Sequence, residues 1–195
     1  ETPLVVPDGY YSGPEDASET TRSEKTICPA GYYCVGGEKF ECPAGSLGEA
    51  GGQWNPTCDG QCPRGYYCVG GEKHECGSVD KYCPAGSSAP TNVTTGHYSG
   101  PSDVNENVRY EETLCPVGYY CVGGEKFECA SGYFGNSTGL TTSQCSGMCK
   151  DGYYCESGST RDDQHECGSV DKYCPAGSET PLVVPDGYYS GPEDA

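Results

Sequence analysis

Apolar side chains along this chain come in pairs and short runs, never in long periodic stretches. The run that recurs is Tyr32-Tyr33-Cys34-Val35, interrupted by Gly36-Gly37 and answered by Glu38-Lys39-Phe40-Glu41. Two runs of four residues around a glycine pair predict a small β-hairpin. No stretch carries a helical period over ten or more residues, so little helix is expected. Ahead of the hairpin stands Cys28-Pro29-Ala30-Gly31. Proline at the second position and glycine at the fourth predict a type I turn.

This pattern repeats, and the repeats set the architecture. Cys28 to Cys42 recurs at Cys62 to Cys76, at Cys115 to Cys129 and, with four extra residues between Glu156 and Glu166, at Cys149 to Cys167. Residues 1–17 reappear unchanged at 179–195, a period of 178 residues. Inside it lies a weaker period of 87, which pairs Cys28 with Cys115 and Gly9 with Gly96. Three parts follow: a first half at 1–87, a second at 88–178, and the start of another repeat at 179–195. Each half opens with a cysteine-free stretch (1–26, 88–113) that lacks apolar periodicity and is expected to be an extended spacer. An eight-cysteine module follows, at 28–83 and 115–174. Starting and ending in mid-repeat, and without a charged start followed by an apolar run, the chain is expected to be a stretch of something longer.

Composition decides what holds such modules together. Leu, Ile, Val and Phe number 22, against 30 Gly, 15 Pro and a net charge of -18. That is too little apolar surface to offset the entropy of ordering the chain. Sixteen cysteines make up the deficit, since a bridge closing a loop of roughly 15 residues contributes about 3 kcal/mol. The expected fold is therefore small, disulfide-rich and mostly irregular, with short hairpins in a tandem array. Such cysteine use implies an oxidising compartment, outside the cell or on its surface. No apolar run reaches the ~20 residues of a membrane span. The acidity excludes nucleic acid as a partner, because phosphates would be repelled.

The candidate bridge cysteines are Cys28, Cys34, Cys42, Cys58, Cys62, Cys68, Cys76 and Cys83, then Cys115, Cys121, Cys129, Cys145, Cys149, Cys155, Cys167 and Cys174. Eight cysteines allow 105 pairings in each half. A hairpin centred on Gly36-Gly37 would return Cys42 close to Gly31, which favours Cys28 with Cys42 and the same first-to-third bridge in the other copies. Zinc is disfavoured because the spacings lack the regular Cys-x2-Cys or Cys-x4-Cys pairs of zinc sites. His74 and His165 fill the slot held by Phe40 and Phe127 in other copies, which reads as a partly buried ring position. His97 stands apart, and no nucleophile has a base and an orienting acid in a recognisable arrangement, so no enzyme is expected. No cofactor is expected either. Calcium would have only exposed carboxylates such as Glu15-Asp16 and Asp162-Asp163, and no loop has the alternating acidic pattern of an EF-hand. The many tyrosines are expected to lie over disulfides and prolines, with sugar stacking as the functional alternative. Asn92-Val93-Thr94 and Asn136-Ser137-Thr138 are acceptor sequences for N-linked glycan, at Asn92 and Asn136.

At Cys-Pro-Ala-Gly-Tyr-Tyr-Cys the chain resembles the ephrin-receptor-like cysteine-rich repeats, relatives of EGF-like modules. Long arrays of such units are similar to the shaft proteins of mastigonemes, the hair-like filaments on flagella of algae and other protists. The resemblance covers Cys28 to Gly45, Cys62 to Gly86, Cys115 to Gly132 and Cys149 to Gly177. It implies a glycosylated extracellular filament built by self-association of repeats along one axis. The alternative is a ligand-binding or adhesive ectodomain or stalk, for which Trp54, the sole tryptophan, and the other differences between the halves are the sequence support.

Overall fold

A computed structural model describes residues 3–191; residues 1–2 and 192–195, parts of the two identical end segments, lie outside the described residues. It contains ten two-stranded antiparallel hairpins. In chain order they are β1 (Tyr10–Gly13) with β2 (Glu24–Ile27), β3 (Tyr32–Val35) with β4 (Glu38–Glu41), and β5 (Ser46–Leu47) with β6 (Gly60–Gln61). Then come β7 (Tyr66–Val69) with β8 (Glu72–Glu75), β9 (Lys81–Tyr82) with β10 (Thr91–Asn92), and β11 (His97–Gly100) with β12 (Glu111–Leu114). The last four are β13 (Tyr119–Val122) with β14 (Glu125–Glu128), β15 (Tyr133–Phe134) with β16 (Gly147–Met148), β17 (Tyr153–Tyr154) with β18 (His165–Glu166), and β19 (Lys172–Tyr173) with β20 (Leu182–Val183). No α-helix occurs among the described residues, and the one 3-10 turn there is Glu106–Val108.

The predicted hairpin forms in the predicted register. Val35 faces Glu38 across Gly36-Gly37, both glycines have positive φ (61° and 82°), and Tyr33 pairs with Phe40. Two positive φ values in a two-residue loop match the right-handed twist of the strands. The turn before it is not the predicted one. Its hydrogen bond runs from the N–H of Tyr32 to the oxygen of Pro29, so proline takes the first place and Gly31, with φ 82°, the third. Positive φ there is the mark of a type II turn. The same bond closes Pro43 to Ser46, Pro63 to Tyr66, Pro116 to Tyr119 and Pro175 to Ser178.

The expected extended spacers are hairpins as well. Pro7-Asp8-Gly9-Tyr10 and Thr94-Thr95-Gly96-His97 close the same turn and lead into β1 and β11. Pairing of β1 with β2 needs no apolar alternation because the next hairpin supports it: Ser12 donates its N–H to the oxygen of Gly37 at 2.9 Å. By packing, the chain divides into two compact units. One holds the residues up to Asn92 together with Gly100–Glu111, the other Val93–Ser99 together with the residues from Glu112 on. Repetition and packing thus divide the second spacer differently.

Half-cystines make the core. Every buried apolar residue among those described is a cysteine, and Cys28, Cys34, Cys62, Cys68, Cys83, Cys115, Cys149 and Cys155 are 0% exposed. The bridges are Cys28–Cys34, Cys42–Cys58, Cys62–Cys68 and Cys76–Cys83, and in the second half Cys115–Cys121, Cys129–Cys145, Cys149–Cys155 and Cys167–Cys174. The favoured first-to-third pairing is therefore wrong, and strand parity explains why. Cys34 lies opposite Lys39 and Cys42 lies opposite Gly31, positions of opposite parity on the hairpin. Side chains at such positions leave opposite faces. The turn folds Cys28 onto the face of Cys34, while Cys42 points away and bonds Cys58 at the end of the next loop. Each short ring contributes roughly 2–3 kcal/mol by restricting the unfolded chain.

Mass analysis of non-reduced peptides should recover the Cys28–Cys34 and Cys42–Cys58 links and none between Cys28 and Cys42.

Candidate functional site: the seam between stacked hairpins

Within each unit the hairpins join through backbone, and the turn glycine is the contact point. In the first unit the N–H of Gly31 donates across to the oxygen of Gly48 at 2.7 Å, while its own oxygen accepts the N–H of Cys42 within the same hairpin at 2.8 Å. Gly45 repeats this with the oxygen of Cys68 and the N–H of Cys62. In the second unit Gly118 does so with Gly135 and Cys129, and Gly132 with Cys155 and Cys149. Backbone runs so close here that no side chain fits. A Cβ on Gly31 would stand 2.7 Å from the oxygen of Gly70, and one on Gly118 would stand 2.5 Å from that of Gly158. Gly48 and Gly135 are constrained differently, since a Cβ on either would meet the sulfur of Cys42 or Cys129 at 2.6 Å.

The four extra residues of the second half leave this seam in place. They enlarge the tip between β17 and β18, where the oxygen of Ser159 accepts from Gly135 much as that of Gly71 accepts from Gly48. An insertion at a hairpin tip lengthens a loop without shifting the strands that carry the contacts.

Aromatic rings and cations line the outside of the seam. Tyr33 stacks on Phe40 with centroids 5.3 Å apart, and Tyr120 on Phe127 at 5.4 Å. In the other copies Tyr67 stacks on His74 and Tyr154 on His165, at 5.2 and 5.1 Å. Both histidines thus occupy a facing-ring position, half-buried at His165 but, against expectation, exposed at His74, and His97 lies apart in β11. The tyrosines also bind cations. The ammonium of Lys39 lies 5.2 Å from the Tyr11 ring and 4.8 Å from the Tyr32 ring, joining two neighbouring hairpins. Lys126 does the same with Tyr98 and Tyr119 at 5.1 and 4.9 Å. Such contacts are worth about 0.5–1 kcal/mol each at exposed sites.

Glu15 completes the first of these clamps with an ion pair to Lys39 at 2.5 Å. Its hydrogen bond holds the Lys39 ammonium above the usual lysine range. Asp163, another of the carboxylates considered for calcium, pairs with Arg161 at 2.7 Å. No group of three His, Cys, Asp or Glu among the described residues could hold a metal ion. Two shallow clefts follow the seam: one of about 370 Å³ beside Tyr11, Arg22 and Lys39, and one of about 610 Å³ beside Tyr32, Gly48 and Lys73.

Asn92 stands exposed on β10 and Asn136 exposed in the loop after β15. Trp54 is 59% exposed and has no aromatic counterpart in the second half, where Thr141 takes its place. The Gly-Tyr-Tyr pairs pointed to the clamps in the sequence, but which ring met which cation depended on stacking. The hairpins inside the spacers had a readable signal: Pro7-Asp8-Gly9-Tyr10-Tyr11 copies Pro29-Ala30-Gly31-Tyr32-Tyr33 without the cysteines.

No protein-family model matches this chain, and no curated protein matches it.

Two substitutions separate the seam from mere turn strain. Gly36 and Gly31 both have positive φ, but a Cβ on Gly36 meets nothing within 4 Å. Gly36→Ala should cost about 1 kcal/mol, and Gly31→Ala about 3 kcal/mol or more, in urea melts with the bridges intact. Lys39→Met tests the clamp. Because the folded pKa of Lys39 is raised, its contribution is complete below the unfolded value of about 10.4 and is lost as pH climbs through the folded one. Wild type should exceed Lys39→Met by about 1 kcal/mol at pH 7, and the gap should close in strong alkali.

Proposed function

We propose that this chain is a structural subunit of an extracellular glycosylated filament, in which disulfide-stapled hairpins stack from one repeat into the next. The carrying observation is that one seam recurs from hairpin to hairpin: at Gly9, Gly31, Gly45, Gly65, Gly118, Gly132 and Gly152 the turn N–H donates to a carbonyl further along the chain. An array of units that each contact only their neighbours adds a constant rise and twist per unit, and an array that does not close becomes a fibre. The identity of 1–17 with 179–195, at a spacing of 178 residues, supports the same reading, because a period that recurs unchanged can present the same contacts at every step.

The surface suits such a role. Lysines 25, 39, 73, 126 and 150 are each spent on a tyrosine face. The net charge of -18 then leaves a hydrated exterior on which like charges keep neighbouring fibres apart. Glycans on Asn92 and Asn136 would add to that exterior, both being exposed. Eight bridges and no helix long and apolar enough to cross a membrane among the described residues suit an extracellular setting. The likeness to ephrin-receptor-like repeats and to mastigoneme shafts belongs to the same proposal.

The exposed Trp54 favours a second reading, a ligand-binding or adhesive ectodomain, since exposed tryptophan is a common anchor of recognition. Trp54→Ala separates the two: loss of a specific partner with filaments intact supports the second. Electron microscopy of the native, non-reduced material should show long fibres of one axial spacing that disappear on reduction. Discrete particles or flexible stalks without periodicity would overturn the filament.

A further inference from the structure

Two departures of the second half from the first fall at one place on the seam. In the first half Glu49, next to the seam residue Gly48, pairs with Lys73 of the following hairpin at 3.2 Å, and both line the cleft of about 610 Å³. By the 87-residue offset Glu49 becomes Asn136, a glycan acceptor. Lys73, which precedes the ring histidine His74, becomes Gln164, which precedes His165. An ion pair has given way to two amides, in the same hairpin whose tip gains four residues. The cation for the tyrosine comes from elsewhere: Lys73 lies over Tyr66 at 5.3 Å, and Lys150 over the matching Tyr153 at 4.7 Å.

The longer tip is held in shape by its own hydrogen bonds. Ser157 Oγ donates to the Glu128 carboxylate at 2.8 Å, and Ser159, 1% exposed, donates its hydroxyl to the oxygen of Glu156 at 2.7 Å. Gln164 Oε1 accepts the N–H of Thr160 at 2.8 Å, which leaves Nε2 as a donor. Backbone ties this tip to the acceptor loop, since Gly135, next to Asn136, donates to the oxygen of Ser159, next to Thr160, at 2.9 Å. Arg161 adds a guanidinium whose side chain is 68% exposed, paired with Asp163. Asn136 is exposed, and its Oδ1 accepts the hydroxyl of Ser137 at 3.1 Å, so Nδ2 is the atom left to carry sugar. An anionic ligand would meet Asp162 and Asp163 here, whereas a neutral pyranose offers hydroxyl and acetamido groups to the donors present.

We propose that the enlarged tip between β17 and β18 seats the first sugar of an N-linked glycan on Asn136, and that this sugar replaces the Glu49–Lys73 pair as the side-chain link across the seam. The covalent bond joins the anomeric carbon of N-acetylglucosamine to Nδ2. It is made from a glycosyl pyrophosphate donor, whose pyrophosphate leaves while Nδ2 gives up one proton. The acetamido oxygen then accepts from Nε2 of Gln164, and ring hydroxyls bond Thr160 and Arg161. A glycan on Asn92, on the exposed strand β10, has no such part. This deepens the glycosylated-filament reading, on which it rests, by making one glycan a member of the stack rather than of its hydrated coat.

The test uses the glycosylated full chain with its bridges intact and reads hydrogen exchange at the Gly135 amide, the backbone bond beside the seat. Mass spectrometry of glycopeptides gives the occupancy of Asn136 and Asn92 beforehand. Trimming each glycan to its single protein-linked sugar should leave the Gly135 rate unchanged. Asn136→Gln should raise that rate at least tenfold, and Asn92→Gln should not. Gln164→Ala should raise it in the glycosylated protein yet add little to Asn136→Gln, the non-additivity of groups in contact. Asn136→Glu with Gln164→Lys recreates the first-half ion pair and should restore protection without sugar. An occupied Asn136 whose loss leaves Gly135 unchanged, or a Gln164→Ala effect that simply adds, overturns the seat while the glycosylated exterior stands. An unoccupied Asn136 overturns both the seat and glycosylation there, and the filament is then decided by its axial spacing alone.

Discussion

The structure depends on backbone meeting backbone at the turn glycines. Where Gly31, Gly45, Gly118 and Gly132 stand, the absence of a Cβ lets one hairpin approach the carbonyl of a later one closely enough to trade hydrogen bonds. A chain with so few aliphatic side chains has no hydrophobic layer to bring elements together, and hydrogen bonds between strands of two to four residues are marginal alone. Cystines supply the missing constraint. They fix each turn against its own hairpin, so the glycine edge is presented already shaped for its neighbour.

This division of labour explains why side chains elsewhere vary so freely. The ring opposite the first-strand tyrosine is phenylalanine in two copies and histidine in two others, with nearly the same stacking distance. A hairpin tip accepts four extra residues in one copy, and a cysteine pair is missing altogether from β1 and β2. Only the turn glycine and the parity of the strands are held. The cations obey the same economy: Lys39 and Lys126 each bridge two hairpins through tyrosine faces, leaving the carboxylates to form the outer surface.

Hairpin, repeat period and cystine core were legible in the sequence because each is set locally, by the Gly-Gly tip, by identity of segments and by cysteine count. Bridge pairing was not. Cys42 does return near Gly31 in the backbone, but proximity of main chain says nothing of the face from which a side chain leaves. The spacers were only partly legible: Pro7-Asp8-Gly9-Tyr10-Tyr11 copies the turn and tyrosine pair of Pro29-Ala30-Gly31-Tyr32-Tyr33, but without the cysteines that mark the other copies. Their strands are polar and short, and what pairs them is contact with the following hairpin, which no local pattern encodes. The seam itself was legible only as conspicuous glycine. That glycine serves close approach as well as φ becomes visible once the later carbonyls are placed.

Small-angle X-ray scattering from chains carrying one, two and three copies of the 178-residue period tests most directly whether stacking continues from repeat to repeat. If the seam persists across every junction, the longest dimension grows by the same increment with each added copy while the cross-section stays fixed. Growth of the radius of gyration with a power of length near ~0.6, the law of an unfolded or freely jointed chain, would contradict it.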